Sequence, residues 1–158
     1  MIFLTLGTQL PFDRLVKAVD QLSENYPSIE FFGQVGRTKY KPKNFKFVEM
    51  LDAHEFQQKF HAANIIIGHA GIGTILNARK HKKPLIVMAR RSSLSEHRND
   101  HQLATAEQLS SLKGLYVVNG CDDMGHLLSL KNLEAMEDSD LEPKKQLINK
   151  ISELIRGN

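Results

Sequence analysis

Short apolar runs bounded by glycine and turn residues alternate along this chain with segments of helical period, and few folds accept that alternation. Strands separated by helix-length stretches run parallel and are joined by crossovers, which makes an α/β layer structure. The clearest run is Ile65-Ile66-Ile67, β-branched throughout and halted at Gly68. Around it the pattern predicts strands over Ile2–Leu6, Ile29–Phe32 (closed by Gly33), Phe45–Val48, Leu85–Met88 and Tyr116–Val118. A helix is expected after Pro11, where Phe12, Leu15, Val16, Val19 and Leu22 share one face. Further helices are expected over Ala53–Ala62 with Phe56 and Phe60 inward, over Ile72–Lys80, and over Asp100–Ser110 with Leu103, Ala106 and Leu109 at helical spacing. Near the C-terminus, Leu147, Ile148, Ile151, Leu154 and Ile155 form a stripe on a helix expected over about residues 141–156. No repeat or linker interrupts the series. The reading is one Rossmann-like, doubly wound domain with a mostly parallel sheet over residues 1–158.

Composition narrows the function classes. No apolar run approaches the roughly 20 residues of a membrane-spanning helix. The opening MIFLTLGTQ has no basic segment, so no signal peptide is expected, and the lone Cys121 points to a cytoplasmic setting without disulfides. The net charge of +3 hides an asymmetry: residues 79–98 hold Arg79, Lys80, Lys82, Lys83, Arg90, Arg91 and Arg98 against Glu96 alone. Such a block predicts an anion nearby, whether a phosphate ligand, an acidic membrane surface or nucleic acid. The acidic stretch Glu134–Glu142 reads as a solvated connector.

In an open α/β sheet, ligands bind beyond the carboxyl ends of the strands. Three loops there are unusual: Gly7-Thr8-Gln9, the run from Gly68 through His69 to Thr74, and Arg90–Gln102. The second has the glycine spacing of a P-loop but lacks its lysine, since Ile75 follows Thr74. It also fails the dinucleotide fingerprint, because Leu76 stands where a third glycine belongs and Arg91 where an acid belongs. Simpler physics survives: glycines before a helix let backbone amides approach a diphosphate, and the helix start adds about half a positive charge. Thr74 adds a hydroxyl. A tight turn for strand–helix packing explains the same glycines equally well, and His69 reads either as an acid/base or as a donor to neighbouring backbone. Glu96, His97, Asp100 and His101 are metal-ligand types without zinc spacing, and hydrogen bonding to a polyhydroxyl ligand explains them as well. Asp100 stands where it can cap a helix, and Arg90 and Arg91 bring charge. Cys121 has no histidine partner nearby in sequence, and Ser92, Ser93 and Ser95 lack a nucleophile-elbow context.

The order of these residues resembles a known family. Gly7-Thr8 then Phe12-Asp13 and Leu15, His69-Ala70-Gly71 with Gly73-Thr74, Lys83-Pro84-Leu85-Ile86-Val87, and Glu96-His97 with Asp100-His101-Gln102-Leu103-Ala104 are similar to the family 28 glycosyltransferase C-terminal domain over about residues 1–118. The likeness is to its free-standing versions, found in two-subunit dolichol-linked N-acetylglucosaminyltransferases and in bacterial capsule and exopolysaccharide transferases. The run from Arg90 to Gln102 is more similar to the bacterial branch.

The resemblance implies the donor-binding half of a two-Rossmann (GT-B) transferase, with a UDP-sugar donor, a lipid-linked saccharide acceptor and a membrane-anchored partner that binds the acceptor. It implies no metal and no other cofactor, and no nucleic acid is expected because no aromatic-interleaved basic surface or known binding module appears. Carried over, Gly7 and Thr8 line the diphosphate, while Gly71, Gly73 and Thr74 hold the phosphates. Asp100, His101 and Gln102 meet the sugar, Arg90, Arg91, Glu96 and His97 complete the donor set, and Met50–Leu51 flank the uracil. Asn77 occupies the position where the family commonly has a glutamate on the ribose. The implied reaction is an inverting, metal-independent displacement, with the base on the partner or at His69 or His101. At 158 residues no second Rossmann domain fits, so activity is expected only with the partner, peripherally at the inner face of the cytoplasmic membrane. A non-catalytic enhancer subunit is the alternative, and Asn77 favours it.

Overall fold

Six short strands form one wholly parallel sheet: β1 Ile2–Thr5, β2 Phe31–Gln34, β3 Lys46–Val48, β4 Ile65–His69, β5 Leu85–Met88 and β6 Leu115–Val118. Their order, β3-β2-β1-β4-β5-β6, is the doubly wound one, and its direction switches between β1 and β4. Across that switch Ile2 lies opposite Ile65 and Thr5 opposite Gly68, so the loops after β1 and β4 leave the sheet side by side. The computed structural model describes residues 1–7 and 10–137, together with Asn149. Five helices complete the single α/β domain among these residues: α1 Asp13–Asn25, α2 Ala53–Ala62, α3 Ile72–Lys80, α4 His101–Leu109 and α5 Cys121–Ser129.

Both faces of the sheet are covered, which is why its strands read as continuous apolar runs. Ile2, Leu4, Ile67, Ile86 and Met88 point to the face packed by α1 and α5. Phe3, Ile66, Leu85 and Val87 point to the face packed by Phe60, Ile75, Ala78, Ala106 and Leu109 of α2, α3 and α4. Phe3 is the hub of that second face, with the rings of Phe32, Phe56 and Phe60 at 6.3, 5.6 and 6.2 Å. Truncating such a side chain to alanine costs about 3–5 kcal/mol. No helix among the described residues is long and apolar enough to cross a membrane.

Some expectations change. Strand β4 does not halt at Gly68 but runs through it to His69, because Gly68 pairs with Thr5 on one side and Val87 on the other. The second strand starts at Phe31, because the Ile29 amide is taken by Tyr26 in a turn, and Gly33 lies inside β2 instead of closing it. A Cβ there would stand 2.7 Å from the Phe45 ring, so the glycine admits that ring onto the strand. Helix α5 was not apparent from its apolar spacing, since Asp122, Asp123, Gly125 and His126 dilute it. Its buried Met124 and the bond from the Tyr26 hydroxyl to the Gly125 carbonyl, 3.1 Å, dock it beside α1. The basic block divides: Lys80, Lys82 and Lys83 precede β5, whereas Arg90 and Arg91 follow it at the opposite end of the sheet. In the acidic stretch, Glu134 and Glu137 pair with Lys113 at 3.8 and 2.8 Å. The helix expected over about residues 141–156 lies outside the described residues.

No helix links β2 to β3. Residues 35–45 cross on the α1 face instead, tied to that helix by two of its carboxylates. Asp20, 2% exposed, accepts from the Tyr40 hydroxyl at 2.6 Å and from the Lys43 and Asn44 amides at 3.0 and 2.8 Å. Asp13, two turns earlier, accepts from the Tyr40 amide at 2.9 Å. The hydrogen bond to Asp20, with burial and the nearby negative charge, pushes the Tyr40 phenol up.

Candidate functional site

A cleft of about 740 Å³ opens over the switch point, at the carboxyl ends of β1, β2 and β4. Gly7, His69, Gly71, Gly73, Thr74, Asn77, Arg90, His97 and Gln102 all line it, and so do Met50 and Leu51. Thr8 lies outside the described residues. Arg91, Glu96, Asp100 and His101 are not among the residues lining the cleft.

The loop after β4 is shaped around one ring. A Cβ on Gly7 would stand 2.9 Å from the His69 imidazole, and one on Gly71 would overlap the ring at Nε2. Gly7 also holds φ +73°, a left-handed conformation that glycine adopts without strain. Two glycines therefore admit the His69 ring between them. Burial first, then the Arg90 charge, drives its pKa down to about 4 against a smaller opposing pull from the Thr5 backbone, with His97 lowering it further. The ring is neutral at neutral pH, and its buried Nδ1 has no partner among the described residues.

Gly71 is the N-cap of α3. The Thr74 and Ile75 amides turn back to its carbonyl at 3.1 and 3.2 Å. The Ile72 and Gly73 amides, first in the helix, have no carbonyl one turn earlier to bond. Among the described residues nothing stands within 4 Å of where a Gly73 side chain would begin, so none of them covers the approach to these donors. Two free amides, the Thr74 hydroxyl and the helix dipole converge on one wall of the cleft, an arrangement that binds anions.

The loop after β5 is built differently. Arg90 is 2% exposed, and its guanidinium donates to the carbonyls of Leu6 (3.2 Å), Leu10 (2.7 Å) and Pro11 across the cleft floor. It also lies over the Phe12 ring at 4.6 Å. Burial lowers its pKa to about 10 while Glu96 pulls it back up, so it stays charged. Arg14 of α1 grips Glu96 with two bonds of 2.8 Å and the Ala89 carbonyl with a third. Burial pushes the Glu96 carboxyl up, but hydrogen bonds from Arg14 and from the Arg91 amide outweigh it and hold the group below its ordinary value. Arg90 and Glu96 therefore clasp the loop after β1 to the loop after β5, and their polar groups are engaged with protein.

The rest of the loop after β5 faces elsewhere. The Arg91 guanidinium donates to Asn119 at 3.2 Å, outside the cleft. Asp100 accepts the Ser92 amide at 2.8 Å and makes no side-chain cap on α4. That bond and a second from the Ser92 side chain hold its carboxyl low. His101 is exposed on the first turn of α4, so of the two candidate bases only His69 reaches the cleft. Gln102 does reach it; its Oε1 accepts the Arg90 amide at 3.2 Å, which leaves its Nε2 without a partner among the described residues. His97 lines the cleft with Nδ1 set 3.1 Å from Asn99.

Sequence reasoning passed over Gln34. Buried at the carboxyl end of β2, it accepts the Leu51 amide at 2.9 Å and so fixes the Met50–Leu51 rim. The available signal was a polar residue ending an apolar run. Asp52 and Phe56 also line the cleft, and Asp52 caps α2 through a reciprocal box with Glu55. No three His, Cys, Asp or Glu side chains converge to hold a metal among the described residues.

Residues 1–151 match the glycosyltransferase family 28 C-terminal domain. The chain is 30% identical over 119 residues to the human UDP-N-acetylglucosamine transferase subunit ALG13, covering 68% of this chain and 10% of that protein. It is 24% identical over 168 residues to the subunit of the same name from Yarrowia lipolytica, covering 97% of this chain and 83% of that one. The chain thus spans about 10% of the length of the human and mouse relatives. Among solved structures it superposes on the glycotransferase of kitacinnamycin with a TM-score of 0.62 at 16% identity, over 82% of this chain and 34% of that one. Such neighbours are GT-B glycosyltransferases, and at that identity the likeness concerns the fold.

Proposed function

The chain belongs to the glycosyltransferase family 28 C-terminal domain family, and from that premise we propose that it is the donor-binding subunit of a UDP-sugar transferase working with an acceptor-binding partner. The observation that carries the reading is the open pair of amides at Ile72 and Gly73, beside Thr74 and facing the Gly7 loop. In this proposal the diphosphate sits against those donors and the uracil lies along Met50–Leu51. The ribose lies beside Asn77, and the sugar reaches His97 and Gln102.

The reaction proposed is an inverting displacement. An acceptor hydroxyl attacks the anomeric carbon, the new glycosidic bond forms, and the bond to UDP breaks with its electron pair. The amides of the loop after β4 and the α3 dipole meet the charge on the departing diphosphate. The neutral His69 ring offers a hydrogen bond there. With a pKa near 4 it is a poor general base at neutral pH, which favours a base on the partner. That partner is proposed to be membrane-anchored and to present a lipid-linked saccharide, with this chain peripheral on the cytoplasmic face. UDP-N-acetylglucosamine is the first donor to test, because the human and Yarrowia relatives are named as subunits of a UDP-N-acetylglucosamine transferase. A capsule or exopolysaccharide setting is the further proposal, drawn from the Arg90–Gln102 run.

Calorimetric titration with a panel of UDP-sugars tests the reading. Saturable heat with at least one supports it, and no heat with any UDP species overturns it. A non-catalytic enhancer subunit is the second reading, favoured by Asn77, which lacks the charge for a strong pair with ribose hydroxyls. Gln102→Ala separates the two: lost transfer with an intact complex supports catalysis, and unchanged transfer supports the enhancer.

A further inference from the structure

The β2–β3 crossover carries charge that neither the sheet nor the cleft uses. Between Arg37 and Lys46 stand Arg37, Lys39, Lys41, Lys43 and Lys46, with no acid among them. All five residues are exposed, and among the described residues only Arg37 has an ion-pair partner, Glu49 at 3.4 Å. Charge runs of this kind are ordinarily loose, solvated loops. This one is held. The buried Asp20 carboxylate binds the Tyr40 hydroxyl and the Lys43 and Asn44 amides, and Asp13 binds the Tyr40 amide. Tyr40, Phe45 and Phe47 pack toward the core, so the lysines make up the outer surface. Lys17, exposed on α1 between the two clamping carboxylates, adds to it, and Glu24 and Glu49 are the nearby acids.

We propose that this crossover is a docking surface for an anionic lipid bilayer. Four of the five cations are lysines, point charges that suit a diffuse negative surface better than the paired forks of arginine suit a single phosphate. The aromatic rings are turned inward, which removes the stacking platform that single-stranded nucleic acid requires. The clamp holds the segment that carries Lys39, Lys41 and Lys43, so the attraction of these three lysines to a plane adds up, whereas Lys46 belongs to β3. Orientation follows from the backbone. The Val35 and Gly36 amides bond the Val48 and Glu49 carbonyls at the carboxyl end of the sheet, so Arg37 leaves from the end that bears the cleft. Docking there keeps the cleft mouth beside the bilayer. The surface stands whether or not the cleft binds a nucleotide.

Co-sedimentation of the full chain with phosphatidylcholine vesicles, with and without phosphatidylserine, tests this. Binding is expected only with phosphatidylserine, and high salt abolishes it. At about 1 kcal/mol per lysine near such a surface, or about fivefold each, Lys39→Gln/Lys41→Gln/Lys43→Gln weakens partitioning about a hundredfold. Lys80→Gln/Lys82→Gln/Lys83→Gln removes equal charge from the far end of the sheet and retains binding. These side chains are exposed or at the surface, and unfolding curves matching the wild type verify both variants. The proposal is overturned by a wild-type chain that ignores anionic vesicles, by equal binding to neutral ones, or by two triple variants that behave alike. Capture of single-stranded RNA through the same lysines, without vesicle binding, overturns it in favour of nucleic acid.

Discussion

The loops after β4 and β5 both contain glycosyltransferase motif residues, yet they put their polar groups to opposite uses. After β4 the donors are left open: the Ile72 and Gly73 amides and the Thr74 hydroxyl face the cleft. After β5 the charges are already satisfied, Arg90 by three backbone carbonyls and Glu96 by Arg14. One loop leaves its donors open toward the cleft, and the other uses its charges to hold the loop after β1 in place. A charged residue in a motif is therefore no sign that its charge is available. Its partners decide.

The largest effect is expected at Gly71. Gly71→Ala places a Cβ against the His69 ring, and a displacement of the order of an ångström in a positioning loop costs about 10²-fold in affinity. Titrating UDP into the variant measures this, with a near-native unfolding curve expected. Arg90→Ala should do the reverse. It leaves buried carbonyls without donors and unfolds more easily by about 3 kcal/mol in urea titration, with UDP affinity falling only as far as the Gly7 loop loosens. Arg90→Lys does not restore stability, because one ammonium cannot span the three carbonyls. Comparable losses of affinity and stability in both variants would erase the contrast between the loops.

Acid separates the loops more finely. His69 has its pKa lowered from 6.5 to about 4, so below 6.5 the unfolded chain binds more protons than the folded one. Stability is thus complete above 6.5 and falls as the pH drops toward 4, by up to about 3 kcal/mol. Glu96 is also depressed, from 4.5, so its contribution is present above that value and is lost only at lower pH. Stability measured against pH should therefore fall in two stages. His69→Gln removes the upper stage and Glu96→Gln the lower one. A single stage, or the opposite assignment, contradicts the environments described.

The smallest effect expected is a gain. Asn77→Glu restores a charge-assisted acceptor on the cleft wall and should tighten UDP about fivefold, but not its 2′,3′-dideoxy analogue. Equal tightening of both ligands would place Asn77 away from the ribose.

Much of this was legible in the sequence where the causes are local. Strand β4, the glycines in and after it and helix α3 lie within 16 consecutive residues, Ile65–Lys80; α3 has the expected bounds, and only the end of β4 moves, from Gly68 to His69. The clasp was not legible, because Arg90 finds its carbonyls 79 to 84 residues away and Glu96 meets Arg14 across 82. Read as neighbours in sequence, they looked like a basic patch. Helix α5 escaped for a related reason: its burial rests on Met124 against α1, a tertiary contact, and its own spacing is diluted by acids. Gly33 looked like a strand end, and only the Phe45 ring packed at its missing Cβ explains why the strand continues through it.

The central claim is that the backbone amides at the start of α3 hold the donor's diphosphate. Amide chemical shifts of the labelled chain, followed as UDP is added, test it most directly. Ile72, Gly73 and Thr74 are expected to move most and saturate together, while the Arg91 and Glu96 amides move little. Shifts centred on Arg91 to Asp100, with the glycine amides still, would contradict it.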